Sequence, residues 1–136
     1  MQASNPGRVR ILVADDHEAV RKGVCAILAS RLDVEVCGEA SNGQEAIVKA
    51  HDLKPDLIIL DITMPVLSGL DAARVIRLTL PELPILLLTM HEGKHIIEDA
   101  QKIGIEGFVY KSDASASLLA AVDAVLRNEP FFPKTD

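Results

Sequence analysis

The side chains of this sequence with the most chemical potential are acidic, and they sit in two places. One is the adjacent pair Asp15-Asp16; the other is Asp61. Each follows a short apolar run, Arg10-Ile11-Leu12-Val13-Ala14 for the pair and Leu57-Ile58-Ile59-Leu60 for the single residue. Two further groups stand in the same relation to later runs. Thr89 follows Ile85-Leu86-Leu87-Leu88, and Lys111 follows Gly107-Phe108-Val109-Tyr110. Carboxylates gathered in one pocket repel one another, and a cation is needed to offset that cost. Hard oxygen donors in a compact site, with room for water and phosphate, suit Mg²⁺, with Mn²⁺ as the alternative. An ammonium and a hydroxyl would then hold phosphoryl oxygens. An acceptor, a metal and electrostatic clamps are the parts that phosphoryl transfer to a carboxylate requires.

That chemistry needs a fold that brings residues 15, 16, 61, 89 and 111 together. The apolar runs do not alternate with polar residues, as expected of strands covered on both faces in a parallel sheet. Weaker strands are Val34-Glu35-Val36-Cys37 and Gly107 to Tyr110. Helical spacing fills the gaps. His17 to Ser30 aligns Val20, Val24, Ile27 and Leu28. Asn42 or Gly43 to His51 carries Ala46, Ile47 and Ala50. Ser68 caps a helix to about Leu78, with Leu70, Ala73, Val75 and Ile76 available for burial. Glu92 to Ile103 stops at Gly104, and Ala114 to Arg127 is the last.

Five strands and five helices in strict alternation, joined by right-handed crossovers, predict an α/β fold. It is a doubly wound, flavodoxin-like parallel sheet of order 2-1-3-4-5 in a single domain. Ligands in such sheets bind beyond the carboxyl ends of the strands, at the switch point between strands one and three. The acidic residues flank that point. The expected organisation is an N-terminal tail over 1–7, the folded domain over 8–128, and a C-terminal linker or tail over 129–136, where Pro130 and Pro133 oppose another helix.

Composition narrows the function. The 136 residues are 49% hydrophobic but only 3% aromatic, without Trp, so the core is aliphatic. A net charge of −6 argues against direct nucleic-acid binding. No apolar stretch approaches the ~20 residues of a membrane span. Cys25 and Cys37 form no Cys-x-x-Cys pair and read as reduced thiols. The expected location is therefore cytoplasmic. His17, His51, His91 and His95 have no spacing that builds a metal site with Cys or with one another.

Five motifs carry a family resemblance: Val13-Ala14-Asp15-Asp16-His17, Leu60-Asp61-Ile62-Thr63-Met64-Pro65, Ser68-Gly69, Leu88-Thr89 and Tyr110-Lys111. Each alone is weak; their order and spacing together are specific. Over about residues 8 to 128 the sequence resembles the receiver domains of two-component response regulators. Asp16-His17-Glu18-Ala19-Val20-Arg21-Lys22-Gly23 and Leu88-Thr89-Met90-His91-Glu92 resemble the NarL/FixJ branch, whose members usually carry a DNA-binding helix-turn-helix domain after the receiver.

The resemblance implies a signalling module rather than a conventional enzyme, phosphorylated by a cognate sensor histidine kinase and dephosphorylating itself. It implies Asp61 as phosphoacceptor, and Mg²⁺ bound by Asp16, Asp61 and the backbone carbonyl of Thr63, with Asp15 acting through a water. Thr89 and Lys111 would read the phosphoryl group and Phe108 would be the aromatic switch. Pro65 and Gly69 would shape the loop after Asp61. The output would be transcription through a DNA-binding domain outside this chain, or protein contacts of a stand-alone receiver, with phosphorylation-dependent homodimerisation.

Two departures from the family pattern stand out. Ser112 replaces the proline often found after the lysine, which puts the geometry of Lys111-Ser112 in question. Met90 replaces a small residue and would narrow access to Asp61. The less favoured rival is an Asp-nucleophile phosphohydrolase, but Thr63 stands where that class has a second Asp.

Overall fold

The computed structural model describes residues 7–90 and 94–133. The elements alternate from end to end: β1 (Val9–Ala14), α1 (Glu18–Ala29), β2 (Val34–Ala40), α2 (Gly43–Leu53), β3 (Leu57–Asp61), α3 (Gly69–Thr79), β4 (Ile85–Thr89), α4 (Lys94–Ile103), β5 (Gly107–Tyr110) and α5 (Ala114–Leu126). A single 3₁₀ turn, Lys111–Asp113, joins β5 to α5. The five strands are parallel and ordered β2-β1-β3-β4-β5, as the sequence predicts.

The sheet divides its side chains by the two-residue period of a strand. Ile11, Val13, Ile59, Leu86, Leu88 and Val109 face α1 and α5, where Val24, Leu28, Leu118, Val122 and Val125 meet them. Leu12, Ala14, Ile58, Leu60, Leu87 and Phe108 face α2, α3 and α4. Those three helices present Ala46, Ala50, Ala73, Ile76 and Ala100 inward, and the small side chains let them lie close to the sheet. Burial of β3 and β4 on both faces is complete. This explains why their sequences lack polar alternation.

Local chemistry sets the helix ends. The Asn42 Oδ1 accepts from the Glu45 amide at 2.8 Å and starts α2. The Ser68 Oγ accepts from the Asp71 amide at 3.1 Å and starts α3, the cap expected from sequence. Gly104, at φ 88°, ends α4.

Several boundaries differ from the sequence expectation. β2 runs on to Ala40 because a bulge at Cys37 lets the strand keep pairing with β1 after the register shifts between Ile11 and Leu12. α2 continues two residues past His51, to Leu53, and closes on Lys54 in a left-handed conformation at φ 48°. α3 buries Ala72 rather than Val75, which is 36% exposed. α1 begins at Glu18, after His17. α4 begins at Lys94; the expected start at Glu92, like His91, lies outside the described residues. Of the predicted tail 1–7, all but Gly7 lies outside them too. No peptide bond among the described residues is cis, so Lys111-Ser112 is trans.

Candidate functional site

The carboxyl ends of β1, β3, β4 and β5 converge at one edge of the domain. β1 delivers Asp15 and Asp16 beyond Ala14, β3 ends on Asp61, β4 on Thr89, and Lys111 follows Tyr110. The Asp61 position pairs with Leu88 and Thr89 with Tyr110, so the four strand ends lie side by side. Lys111 Nζ reaches into the cluster, 2.9 Å from Asp15 Oδ2 and 3.3 Å from Asp61 Oδ2. One oxygen each from Asp15, Asp16 and Asp61, with a His17 ring nitrogen, lie within 4.8 Å of one another.

The backbone around the site is held from several directions. The Asp15 Oδ1 accepts from the His17 amide at 2.9 Å, closing the turn into α1. Arg21 donates to the Asp15 carbonyl at 2.8 Å and to Glu39 Oε1 at 2.8 Å, tying that turn to β2. On the other side, the Gly69 amide donates to the Ile62 carbonyl at 2.7 Å. A Cβ on Gly69 would stand 1.8 Å from the Asp61 carbonyl oxygen, so α3 can start this close to β3 only with glycine there. Between them, the Leu67 amide donates to the Pro65 carbonyl at 2.7 Å across Val66, whose φ is 69°. The Gly43 amide donates to the Leu67 carbonyl at 3.0 Å and pins this loop to α2.

Electrostatics in the pocket are unbalanced. Asp15, Asp61 and Thr89 are buried, and the Asp16 side chain is 28% exposed. Burial, and then the Asp15 charge, push the Asp61 carboxyl above its ordinary range, with Lys111 pulling the other way. Asp15 Oδ2 and Asp16 Oδ1 are buried without an aligned hydrogen bond; their nearest partners, Lys111 Nζ and His17 Nδ1, meet them as ion-pair contacts at 2.9 and 3.2 Å. Three carboxylates against one lysine, with oxygens left over, form a donor set that fits a hard divalent cation.

A consequence can be measured without the cation. A carboxyl whose folded-state pKa is raised favours the fold only while protonated, and that contribution is lost as pH rises through its raised range. At neutral pH the Asp61 charge therefore works against folding. Asp61→Asn is expected to stabilise the metal-free protein by about 1 kcal/mol, a Tm gain of roughly 4 °C. Thermal denaturation in EDTA checks this.

The remaining predicted residues fall as follows. Pro65 and Thr63 lie on the exposed loop after β3, and Gly69 is buried beneath Asp61. Met90 is 71% exposed just beyond Thr89. Phe108 is fully buried on the α2–α4 side, edge-on to Tyr110 at 5.7 Å between ring centroids. His17, which sequence spacing sets aside, stands in the acidic cluster with its Nδ1 3.2 Å from Asp16 and 3.5 Å from Asp15. Its signal was adjacency to the Asp pair rather than spacing to other histidines. Arg21 was also missed, since one turn of helix must form before it can reach back to Asp15.

A family model for the response regulator receiver domain matches residues 11–123. The chain belongs to this family. Similar relatives include the response regulator protein VraR of Staphylococcus aureus, 36% identical over 124 residues, or 91% of this chain. The chain spans 59% of the length of those curated relatives. Among solved structures, a LuxR-family two-component response regulator from Aurantimonas sp. SI85-9A1 superposes with a TM-score of 0.88 at 33% identity, covering 91% of this chain and 89% of that one. The signal receiver domain of the putative response regulator NarL from Mycobacterium tuberculosis gives 0.85 at 31%, covering 90% and 98%. These likenesses place this receiver domain with the NarL/FixJ-like branch, among signalling proteins of two-component systems. Among its described residues, no helix is long and apolar enough to cross a membrane.

Proposed function

We propose that this receiver domain accepts a phosphoryl group on Asp61 from a sensor histidine kinase and changes conformation to control an output. The observation that carries the reading is Lys111 Nζ lying between Asp15 and Asp61 at the rim of an acidic cluster. An Asp61 carboxylate oxygen attacks phosphorus as the bond from phosphorus to the donor's imidazole nitrogen breaks, and the imidazole leaves. Lys111 exchanges its contact with Asp61 for a phosphoryl oxygen, and the Thr89 hydroxyl donates to another.

Mg²⁺ is the cation this donor set would hold, through Asp16, Asp61 and the Thr63 backbone carbonyl, and its charge would offset that of the incoming group. Asp15, buried and already in contact with Lys111, would act on the cation through a water. Mn²⁺ satisfies the same oxygens. Asp16→Ala is therefore expected to weaken Mg²⁺ binding by about tenfold or more, and Asp15→Ala by less. Metal titration of the three proteins by calorimetry compares them, and an Asp16→Ala affinity equal to wild type would reverse the assignment.

The receiver unit spans residues 8–128, and its output is protein contact leading to transcription control, with homodimerisation on phosphorylation, in the cytoplasm. Family membership among LuxR- and NarL-type regulators and an acidic surface chemistry of net charge −6 support this reading over direct DNA binding. Intact mass measurement tests the central step. Acetyl phosphate with Mg²⁺ should add one phosphoryl group, and EDTA should prevent it. No mass gain in the presence of Mg²⁺ would count against the function proposed.

A further inference from the structure

The segment after α5 is placed differently from what its composition suggests. Two prolines and a polar end read as a linker, yet Glu129–Pro133 lie along the outer edge of β5. Asn128, at φ 62°, turns the chain out of the helix, and the Glu129 amide donates to the Ala124 carbonyl at 2.8 Å. The Phe131 amide then donates to the Glu106 carbonyl at 3.0 Å, and the Phe131 carbonyl accepts from the Phe108 amide at 2.8 Å. This makes a parallel bridge to Gly107. Phe131 packs against the core beneath α1 and α5, and Phe132 against the core beneath α2, α3 and α4. The two rings thus grip the sheet edge from opposite faces, as neighbouring side chains of a strand do.

The attachment is short. Pro133 has no amide to donate to β5, and the Glu129 amide is taken by the Ala124 carbonyl, so pairing cannot extend at either end. Both rings are only half-buried. A docked segment with so few bonds opens more readily than the strands behind it. Its acceptor bond is to the backbone of Phe108, one residue below the Val109-Tyr110 stretch that leads into Lys111. We propose that Glu129–Pro133 is a releasable strap, docked on β5 at rest and loosened when Asp61 carries a phosphoryl group. The trigger rests on the phosphoacceptor reading above; the docking does not. The direction follows from the layout. A phosphoryl group on Asp61 draws Thr89, at the end of β4, toward β3, and the end of β5 follows through the pairing of Tyr110 with Thr89. The strap lies on the opposite side of β5, so that movement pulls the Phe108 amide away from it.

Amide hydrogen exchange on the full 136-residue chain tests both parts. Without phosphodonor, Phe131→Pro removes a donor and a ring, and should speed exchange of the Phe108 amide at least about tenfold. The Ile58 amide, bonded to the Pro84 carbonyl within the sheet, should be unchanged. An unchanged Phe108 amide in this variant would overturn the docking. With acetyl phosphate and Mg²⁺, wild-type Phe108 and Phe131 amides should exchange faster by a similar factor, and Phe131→Pro should show no further change at Phe108. If mass confirms the phosphoryl group while these amides keep or gain protection, release is overturned and the phosphoacceptor stands. If no phosphoryl group is taken up, the trigger falls together with the phosphoacceptor reading.

Discussion

Asp61→Ala is expected to leave the fold intact and to lower Mg²⁺-dependent phosphoryl uptake by at least about 10³-fold, to background in an intact-mass assay. The reason is positional. Asp61 is the last residue of β3, buried, and its Oδ2 is the carboxylate oxygen that shares Lys111 with Asp15. Asp15 cannot take over as nucleophile. Its Oδ1 is held by the His17 amide, and its Oδ2 is the closer partner of Lys111, so both oxygens are engaged. Asp16 is the more exposed of the pair, and its Oδ1 turns toward His17 rather than Lys111. The fold should survive because the substitution removes a buried charge whose presence already disfavours the folded state. A variant that gains a phosphoryl group as fast as wild type would show that another carboxylate is the acceptor.

Gly69→Ala is the second large effect. The added methyl would sit 1.8 Å from the Asp61 carbonyl oxygen, 2.7 Å from its carbon and 3.0 Å from the Ile62 Cα. All three are backbone atoms, so no side chain can rotate away. Either β3 or the start of α3 must move, at a cost of about 2–4 kcal/mol and a Tm fall of roughly 6–15 °C. Because the displaced peptide is that of Asp61, the surviving folded protein should also take up phosphoryl groups more slowly. Gly23→Ala is the matched control. It lies within α1 with open space around its would-be Cβ, and should stabilise the protein by about 0.5–1 kcal/mol. A Tm for Gly69→Ala within about 2 °C of wild type would mean the contact yields easily.

Much of this arrangement is legible in the sequence because it depends on short-range patterns. Unbroken apolar runs such as Leu57–Leu60 mark strands buried on both faces, and alternation with helices leaves few topologies for them. Once strand order follows, the residues after each run must meet at one edge, and Asp15, Asp16, Asp61, Thr89 and Lys111 do converge there. Ser68 and Gly104 announce a helix start and stop through the hydrogen bond of one and the backbone freedom of the other.

What the tertiary structure decided are features whose cause lies across the fold. The pairing of Lys111 with both Asp15 and Asp61, and the raised pKa of Asp61, depend on burial and on distances between separate strands. The extension of β2 depends on a bulge at Cys37 that only its partner β1 makes useful. His17 joins the acidic cluster because the turn into α1 aims it there, which no spacing rule among histidines encodes. Glu129–Pro133 lies docked rather than free because Phe131 and Phe132 find two opposite cores at the edge of β5. Local sequence records the prolines that forbid a helix, but not the open strand edge, built from residues more than twenty positions earlier, that accepts the segment.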